Sequence, residues 1–376
     1  MKMRKLVVSC VLPLAFCAAA VSFIGCASSS GVTAGAEAVQ PAEPVTAAVS
    51  SINKYGNCSL SLTAETLAAN GIEAGDLLSV QAGGYTGTVP YGTNRSDVEH
   101  GKVLVVNYKG DIQIAVNMGN FAKLSGASEG SEVTLTLAEK AGYLKEYKIR
   151  QLKKSEKRED YASDAVYANF RAVQAGRIAR NRLYRGCNPV EGDARSPYSD
   201  ALAKEAGVQV VMNLADTAEA AAGHYDVAPY YASLIEKGNV IFLNMGVSFS
   251  DPDFIAKLHD GLVFISEHKN GPYMVHCKEG KDRAGFVNAL LEALCGATLE
   301  EMTEDYMLSF ENYFGVQKGT EQYTLIGQTI PDMFKAMNDG KKVTNKNVQA
   351  VAKNYALKTV GLTKEQLAAL IEVLEK

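Results

Sequence analysis

The chain has 376 residues, 47% of them hydrophobic and 21% charged, which supplies enough apolar sequence for a buried core and enough length for two domains. A formal net charge of −4, more negative still without Lys2, Arg4 and Lys5, argues against nucleic acid as a partner. The seven cysteines are scattered and form neither a disulfide framework nor a Cys-x-x-Cys metal pattern.

The start of the chain is basic through Lys5, apolar from Leu6 to Ile24, and then reads Gly25-Cys26 before a small polar run. This arrangement resembles a bacterial lipoprotein signal, which implies removal of residues 1–25, lipidation of Cys26 and an exported protein anchored to the membrane on the cell-surface or periplasmic side. A retained transmembrane anchor is the alternative, because the apolar run is long enough to span a bilayer. Residues 26–51 are rich in Ala, Ser, Val and Pro with little periodicity and read as a flexible tether.

Residues 52–152 read as short strands punctuated by Gly, Asn and Asp. The predicted strands are Ser59 to Leu62, Leu77 to Gln81, Val103 to Asn107, Ile112 to Val116, Val133 to Leu137 and Tyr147 to Leu152, with Lys109-Gly110-Asp111 as a hairpin turn. Such spacing suggests a small antiparallel barrel. The turn residues Tyr55-Gly56-Asn57, Gly75-Asp76, Ser96-Asp97-Val98 and Asn117-Met118-Gly119-Asn120 resemble those of the barrel domain of the adenosylmethionine hydroxide adenosyltransferases, whose catalytic half has no counterpart here. Asn94, Arg95, Asp97 and Asn117 are candidates to line a ligand site there, with turn closure as their ordinary alternative. Lys153 to Asp160 is a mixed charge run, expected to be a solvated linker.

From Tyr161 to the C-terminus helices alternate with strands, which predicts an α/β domain with a central, mainly parallel sheet flanked by helices. A helix over Ser199 to Ala206 stops at Gly207. The strands Val208 to Met212, Val240 to Leu243 and Tyr273 to Val275 end at Asn213, Asn244 and His276, so three loops should share one cleft at the carboxyl edge of the sheet. Asp251-Pro252 opens a helix with Phe254, Leu258, Leu262 and Ile265 on one face. Thr298 with Glu301, and Thr363 with Gln366, make capping boxes for helices that pack a core.

The chemistry converges on Pro272 to Gly285. Strand, glycine-containing loop and helix aim backbone N–H groups and a helix N-terminus at one anion. Cys277 lies in that loop with Lys278, Lys281 and Arg283, a setting that favours a nucleophilic thiolate. The Walker phosphate loop does not fit, because Val275 and Asp282 stand where Gly and Ser/Thr are required. No metal pattern accompanies the loop, and no cofactor is expected.

His276-Cys277-Lys278-Glu279-Gly280-Lys281-Asp282-Arg283-Ala284-Gly285 resembles the signature of the cysteine-based tyrosine and dual-specificity phosphatases, and its Gly-Lys-Asp-Arg ending is similar to the secreted bacterial type that also accepts phosphoinositides. The resemblance implies a phosphocysteine intermediate on Cys277, phosphate binding by Arg283 and by the loop from Lys278 through Glu279, Gly280 and Lys281, and a hydrogen bond from His276 that orients the loop. It also implies a phosphorylated protein or a phosphoinositide as substrate. Two departures stand out: Ala284 replaces the usual Ser or Thr hydroxyl, and Glu279, expected to point to solvent, adds a charge where a small residue is usual. The general acid is open between Asp282, within the loop, and Asp251, on a loop that could close as a lid, with Asp216 and Asp253 behind them. Two rivals follow from the same residues: a weakly catalytic phosphate-binding or adhesion module, and a rhodanese-like sulfurtransferase.

Overall fold

The computed structural model describes residues 43–99, 101–246 and 251–376. Cys26 and the leader lie outside the described residues, as does most of the predicted tether. Seven strands, β1 (Val45–Ile52), β2 (Cys58–Leu60), β3 (Leu77–Ala82), β4 (Tyr85–Gly92), β5 (Val103–Tyr108), β6 (Asp111–Val116) and β7 (Glu132–Glu139), close a barrel in the order β1-β2-β6-β5-β4-β3-β7. Alternate residues such as Leu78 and Val80, Ile112 and Ile114, and Val133 and Leu135 fill its interior. Two short helices, α1 (Ala64–Ala69) and α2 (Phe121–Ser125), sit in the connections. The Lys109-Gly110 turn forms as expected, with both residues at positive φ, the geometry a two-residue hairpin demands.

Several expectations need correction. β1 starts at Val45, inside the stretch read as tether; its inward residues Val45, Ala47 and Val49 are small, so the alternation is muted in sequence. β4 was not expected, and its pairing with β5 is parallel rather than antiparallel. The predicted strand at Tyr147 to Leu152 is instead helix α3 (Leu144–Arg150), supported by a Glu146–Arg150 ion pair at 2.8 Å one turn apart. Tyr147 and Ile149 mimic period two only because the window is short.

The second half contains α4 (Asp164–Tyr167), β8 (Arg171–Ala172), β9 (Leu183–Gly186), α5 (Ser196–Glu205), β10 (Val210–Asn213), α6 (Ala218–Ala222), α7 (Pro229–Glu236), β11 (Val240–Phe242), α8 (Pro252–Glu267), β12 (Tyr273–His276) and α9 (Asp282–Leu294), followed by α10 (Leu299–Phe314), α11 (Glu321–Gly327), α12 (Thr329–Met337), α13 (Val348–Asn354) and α14 (Lys364–Glu375). The sheet order is β11-β10-β12-β9-β8, parallel except for the edge strand β8. Val210, Met212, Tyr273 and Val275 face a core with α8, α9 and α10, while Val211 and Met274 face a second core with α5 and α7. The sheet is therefore covered on both sides, and its carboxyl edge is where the loops after β9, β10, β11 and β12 meet. Both predicted capping boxes are present, at Thr298 and Thr363. The charge run after α3 is only partly solvated, since Lys154 turns inward toward Glu279.

Candidate active site

β12 delivers His276 and Cys277 to the carboxyl edge between β10 and β9, and α9 begins at Asp282, so the loop between them is five residues long in sequence and pinned at both ends. Gly280 is at φ +67°, and a Cβ there would lie 2.2 Å from the Gly186 carbonyl oxygen, so only glycine lets the loop lie against the end of β9. Cys277 is buried at 3% exposure, and Ala284, in the first turn of α9, is fully buried.

Residues distant in sequence hold the loop main chain. Arg185, fully buried on β9, donates to the Gly280 carbonyl at 2.8 Å and to that of Lys281 at 3.1 Å, and its other arm pairs with Asp305 at 2.5 Å. Asn169 at 3.0 Å and the Tyr313 hydroxyl at 2.9 Å both donate to the Glu279 carbonyl, and the Asn188 N–H reaches the Lys278 carbonyl at 3.1 Å. With the carbonyls tied outward, the N–H groups of the loop are left to face an anion. Asn169, Arg185, Asn188, Tyr313 and Asp305 carry no local motif; an arginine inside the short strand Leu183–Gly186 is the one sequence signal that could have marked its neighbourhood.

Behind Asp305 lies Glu292, fully buried with no donor directed at its carboxylate oxygens. Burial, then Asp305, pushes the Glu292 carboxyl well above its usual value, so that it can give its proton to Asp305 as a hydrogen bond. Burial pushes Asp305 up as well, but Arg171 and Arg185 outweigh it and hold the group down at about 2.

His276, expected to orient the loop through a hydrogen bond, is a buried ring at the end of β12 whose directed bond goes to Tyr231. Its Nε2 lies 2.9 Å from the Tyr231 hydroxyl, while Nδ1 lies beside the Cys277 main chain without a well-directed bond. Burial lowers its pKa to about 3, so the ring is neutral at neutral pH. From Tyr231 the network continues: Asn213 donates to the Tyr231 hydroxyl at 3.0 Å and to Asp216 at 2.9 Å, and Asn188 donates to Asp216 at 2.8 Å and to Glu191 at 3.1 Å. Glu191 closes the chain on Lys278 at 2.5 Å.

Arg283 is half-buried, and its Nη1 donates to the Leu214 and Met245 carbonyls at 3.2 and 3.3 Å, which fixes the plane of the guanidinium between the ends of β10 and β11. Glu279 does not point to solvent as expected: it pairs with Lys154 at 2.7 Å and Lys281 at 3.4 Å. Burial pushes its carboxyl up, but the two lysines outweigh this and keep it below its usual value. Lys281 lies over the rings of Phe310 and Phe314. Both loop lysines therefore have carboxylate partners.

Among the candidate acids, Asp282 is the first residue of α9 and keeps 65% of its side-chain exposure, with Lys281 at 3.7 Å. Desolvation pushes its carboxyl up while Lys281 pulls it down; at that exposure water screens much of both. Asp251 caps α8, accepting from the Phe254 N–H at 3.0 Å, and the Phe254–Phe286 ring contact at 5.3 Å brings that cap beside the first turns of α9. Asp216 is held by two amides, and exposed Asp253 pairs with Lys257 at 2.8 Å. In the barrel, Asn94, Asp97 and Asn117 close turns through main-chain bonds, and Arg95 donates to Gln113.

Cys58, Cys187, Cys277 and Cys295 are all free and buried. Burial raises Cys187 and Cys295 to about 12, which leaves them as neutral packing groups. Among the described residues no cluster of three or more His, Cys, Asp or Glu could hold a metal, and no helix is long and apolar enough to cross a membrane.

Residues 47–134 match the sequence profile of the SAM hydroxide adenosyltransferase C-terminal domain. No curated protein matches the chain. Among solved structures, an uncharacterized conserved protein from Thermotoga maritima is similar at 23% identity over 26% of this chain, with a TM-score of 0.24, and the chain covers 38% of that protein. The core catalytic domain of the PP-IP phosphatase SIW14 from S. cerevisiae, in complex with citrate, is similar at 16% identity over 46% of this chain and 93% of its own, with a TM-score of 0.28. The profile of the tyrosine phosphatase family matches residues 167–375, more than half of the chain and all of the sheet edge just described except the first turn before it. The chain belongs to the tyrosine phosphatase family.

Proposed function

We propose that the protein is an exported, lipid-anchored phosphomonoesterase that acts on phosphorylated tyrosine, and more broadly on phosphorylated hydroxyl side chains, through a phosphocysteine on Cys277. In the first step the Cys277 sulfur attacks phosphorus and the bond to the ester oxygen breaks. Asp282 gives that oxygen a proton, and the sulfur carries the phosphoryl group. In the second step Asp282, now ionised, takes a proton from water as the water attacks phosphorus; the S–P bond breaks and inorganic phosphate leaves. Arg283 and the loop N–H groups hold the equatorial oxygens in both steps.

The observation that carries this reading is the loop itself: its carbonyls are tied back by Arg185, Asn169, Tyr313 and Asn188, an arrangement that suits an anion at Cys277. Asp282 is favoured as acid over Asp251 because Asp251 already serves as the α8 cap. Lys278 and Lys281 serve here to neutralise Glu191 and Glu279, which favours a monophosphate over a polyphosphorylated inositol. Export and lipidation of Cys26 remain part of the proposal through the leader sequence. The test is a panel of phosphotyrosine peptide, phosphoserine peptide and phosphoinositide, run on the wild type and on Cys277→Ser. Turnover of the tyrosine peptide that vanishes in Cys277→Ser is expected; phosphate binding without turnover, or thiosulfate turnover in its place, would sink the reading.

A further inference from the structure

Helix α3, which leaves the barrel, lies across the second half of the chain and closes a cleft of about 490 Å³ against α9, α10 and α12. Its apolar walls are Ile149 from α3, Phe286 from α9, Tyr306 from α10, and Ile330 and Met333 from α12. Lys281 and Asp282, the last two residues before Arg283, are part of its lining, so the cleft borders the end of the Cys277 loop. A Lys145–Asp332 ion pair at 2.9 Å joins the barrel side to the α12 side.

The geometry points to this cleft as the subsite for the residue next to the phosphorylated one in a peptide substrate, selecting an aliphatic or aromatic side chain. The inference rests on the phosphatase reading above. A volume of this size with apolar walls and a few polar groups at the rim accommodates a side chain of that kind. The charges at the rim favour an apolar side chain over a second phosphate. The charges there are already paired: Lys145 with Asp332, Glu146 with Arg150, and Lys281 with Glu279. A polyphosphorylated headgroup would meet no unmatched cation among these residues, whereas a Leu or Phe side chain would displace water from apolar surface. The subsite would exist only because the barrel half supplies Ile149 and Lys145, which gives the N-terminal half a part in substrate selection.

The test uses the full chain and phosphotyrosine peptides that differ only in the residues flanking the phosphotyrosine: Leu, Phe, Ala or Asp on either side. The wild type should show a kcat/KM on the order of 10-fold higher for a Leu or Phe peptide than for the Ala peptide, the size of preference that an apolar pocket supplies. Met333→Trp, which fills the cleft, and Ile149→Asp, which puts a charge in its wall, should each bring that ratio to about one, with the Ala peptide on the same variant as internal control. Melting curves of both variants establish that they are folded. Equal rates on all peptides in the wild type, or a ratio unchanged in both variants, overturns this inference alone. A phosphoinositide turned over faster than any peptide overturns the choice of occupant. No Cys277-dependent turnover of any substrate overturns the phosphatase reading on which it rests.

Discussion

Replacing Arg185 with Met tests whether a residue that never touches phosphate governs its binding. The guanidinium is fully buried, bonded to the Gly280 and Lys281 carbonyls and to Asp305. Lys281 keeps its helical bond from the Gly285 N–H at 2.9 Å, and Asp305 keeps Arg171 at 3.0 Å, so the full penalty falls on Gly280, whose carbonyl is left beside an apolar methyl. A buried carbonyl stripped of its donor costs ~1–3 kcal/mol, and halving a buried ion pair brings the total to roughly 3–5 kcal/mol. Part of that can be recovered by rotating the Gly280 peptide toward the phosphate site, where its carbonyl would repel the anion. Arg185→Met should therefore lower the melting temperature by on the order of 10 °C and raise the inhibition constant of inorganic phosphate at least ~10-fold. Arg185→Lys, which keeps the charge but not the fork, should fall between. Phosphate inhibition unchanged in a destabilised Arg185→Met would show that the arginine only packs.

Gly280→Ala combines a left-handed backbone, costing ~1–2 kcal/mol, with a Cβ 2.2 Å from the Gly186 oxygen, so the loop must move; kcat should fall on the order of 100-fold in an aryl phosphate assay, and wild-type rates would refute the close approach. Glu292→Gln should change the pH dependence of stability. The folded Glu292 holds its proton while the unfolded one releases it near pH ~4.3, so the wild type is penalised as pH rises from there through the raised folded pKa, and denaturant curves should show the variant gaining on it between pH 5 and 8. Asp305 has the opposite sign: its depressed pKa of about 2 makes its stabilisation full above pH ~4 and lost as pH falls toward 2. Asp282→Asn should slow a phosphoester with a poor leaving group ~100-fold or more and leave a good one nearly unaffected; the same pattern in Asp251→Asn instead would move the acid to α8. Glu279→Gln releases Lys154 and Lys281 and should raise kcat/KM for a polyphosphorylated substrate relative to a monophosphate by about 3- to 10-fold, an effect that 0.5 M salt should erase.

The loop could be read from sequence because its requirements are local. Cys277, Gly280 and Arg283 need fixed separations along one turn, and a strand before and a helix after leave period-two and helical patterns on either side. The clamps on that loop could not be read in the same way. Arg185, Asn169 and Tyr313 reach the Gly280 and Glu279 carbonyls from a strand, a turn and a helix that chain topology alone brings together. Two failures have simple causes. α3 alternates Tyr147 and Ile149 over a window too short to separate the periods, and β1 is built of residues too small to announce a buried face. The inward orientation of Glu279 is hidden in sequence because its partner Lys154 belongs to a charge run that composition assigns to solvent.

That pairing changes how the electrostatics of the site should be understood. Two lysines and an arginine within seven residues look like a strongly positive well, yet Glu191 lies 2.5 Å from Lys278 and Glu279 lies 3.4 Å from Lys281. Opposite charges at such distances cancel one another's field beyond a few ångströms, so the lysines contribute little attraction to an approaching anion. What remains is Arg283, held by the Leu214 and Met245 carbonyls, and the loop N–H groups, whose peptides are fixed through their carbonyls by buried side chains such as Arg185. Fixed dipoles cost nothing to reorganise when charge builds on the phosphoryl oxygens, whereas a mobile lysine would first have to be ordered. On the proposed reading the matched acids therefore do not blunt the site; they confine its attraction to the position from which Cys277 would reach phosphorus.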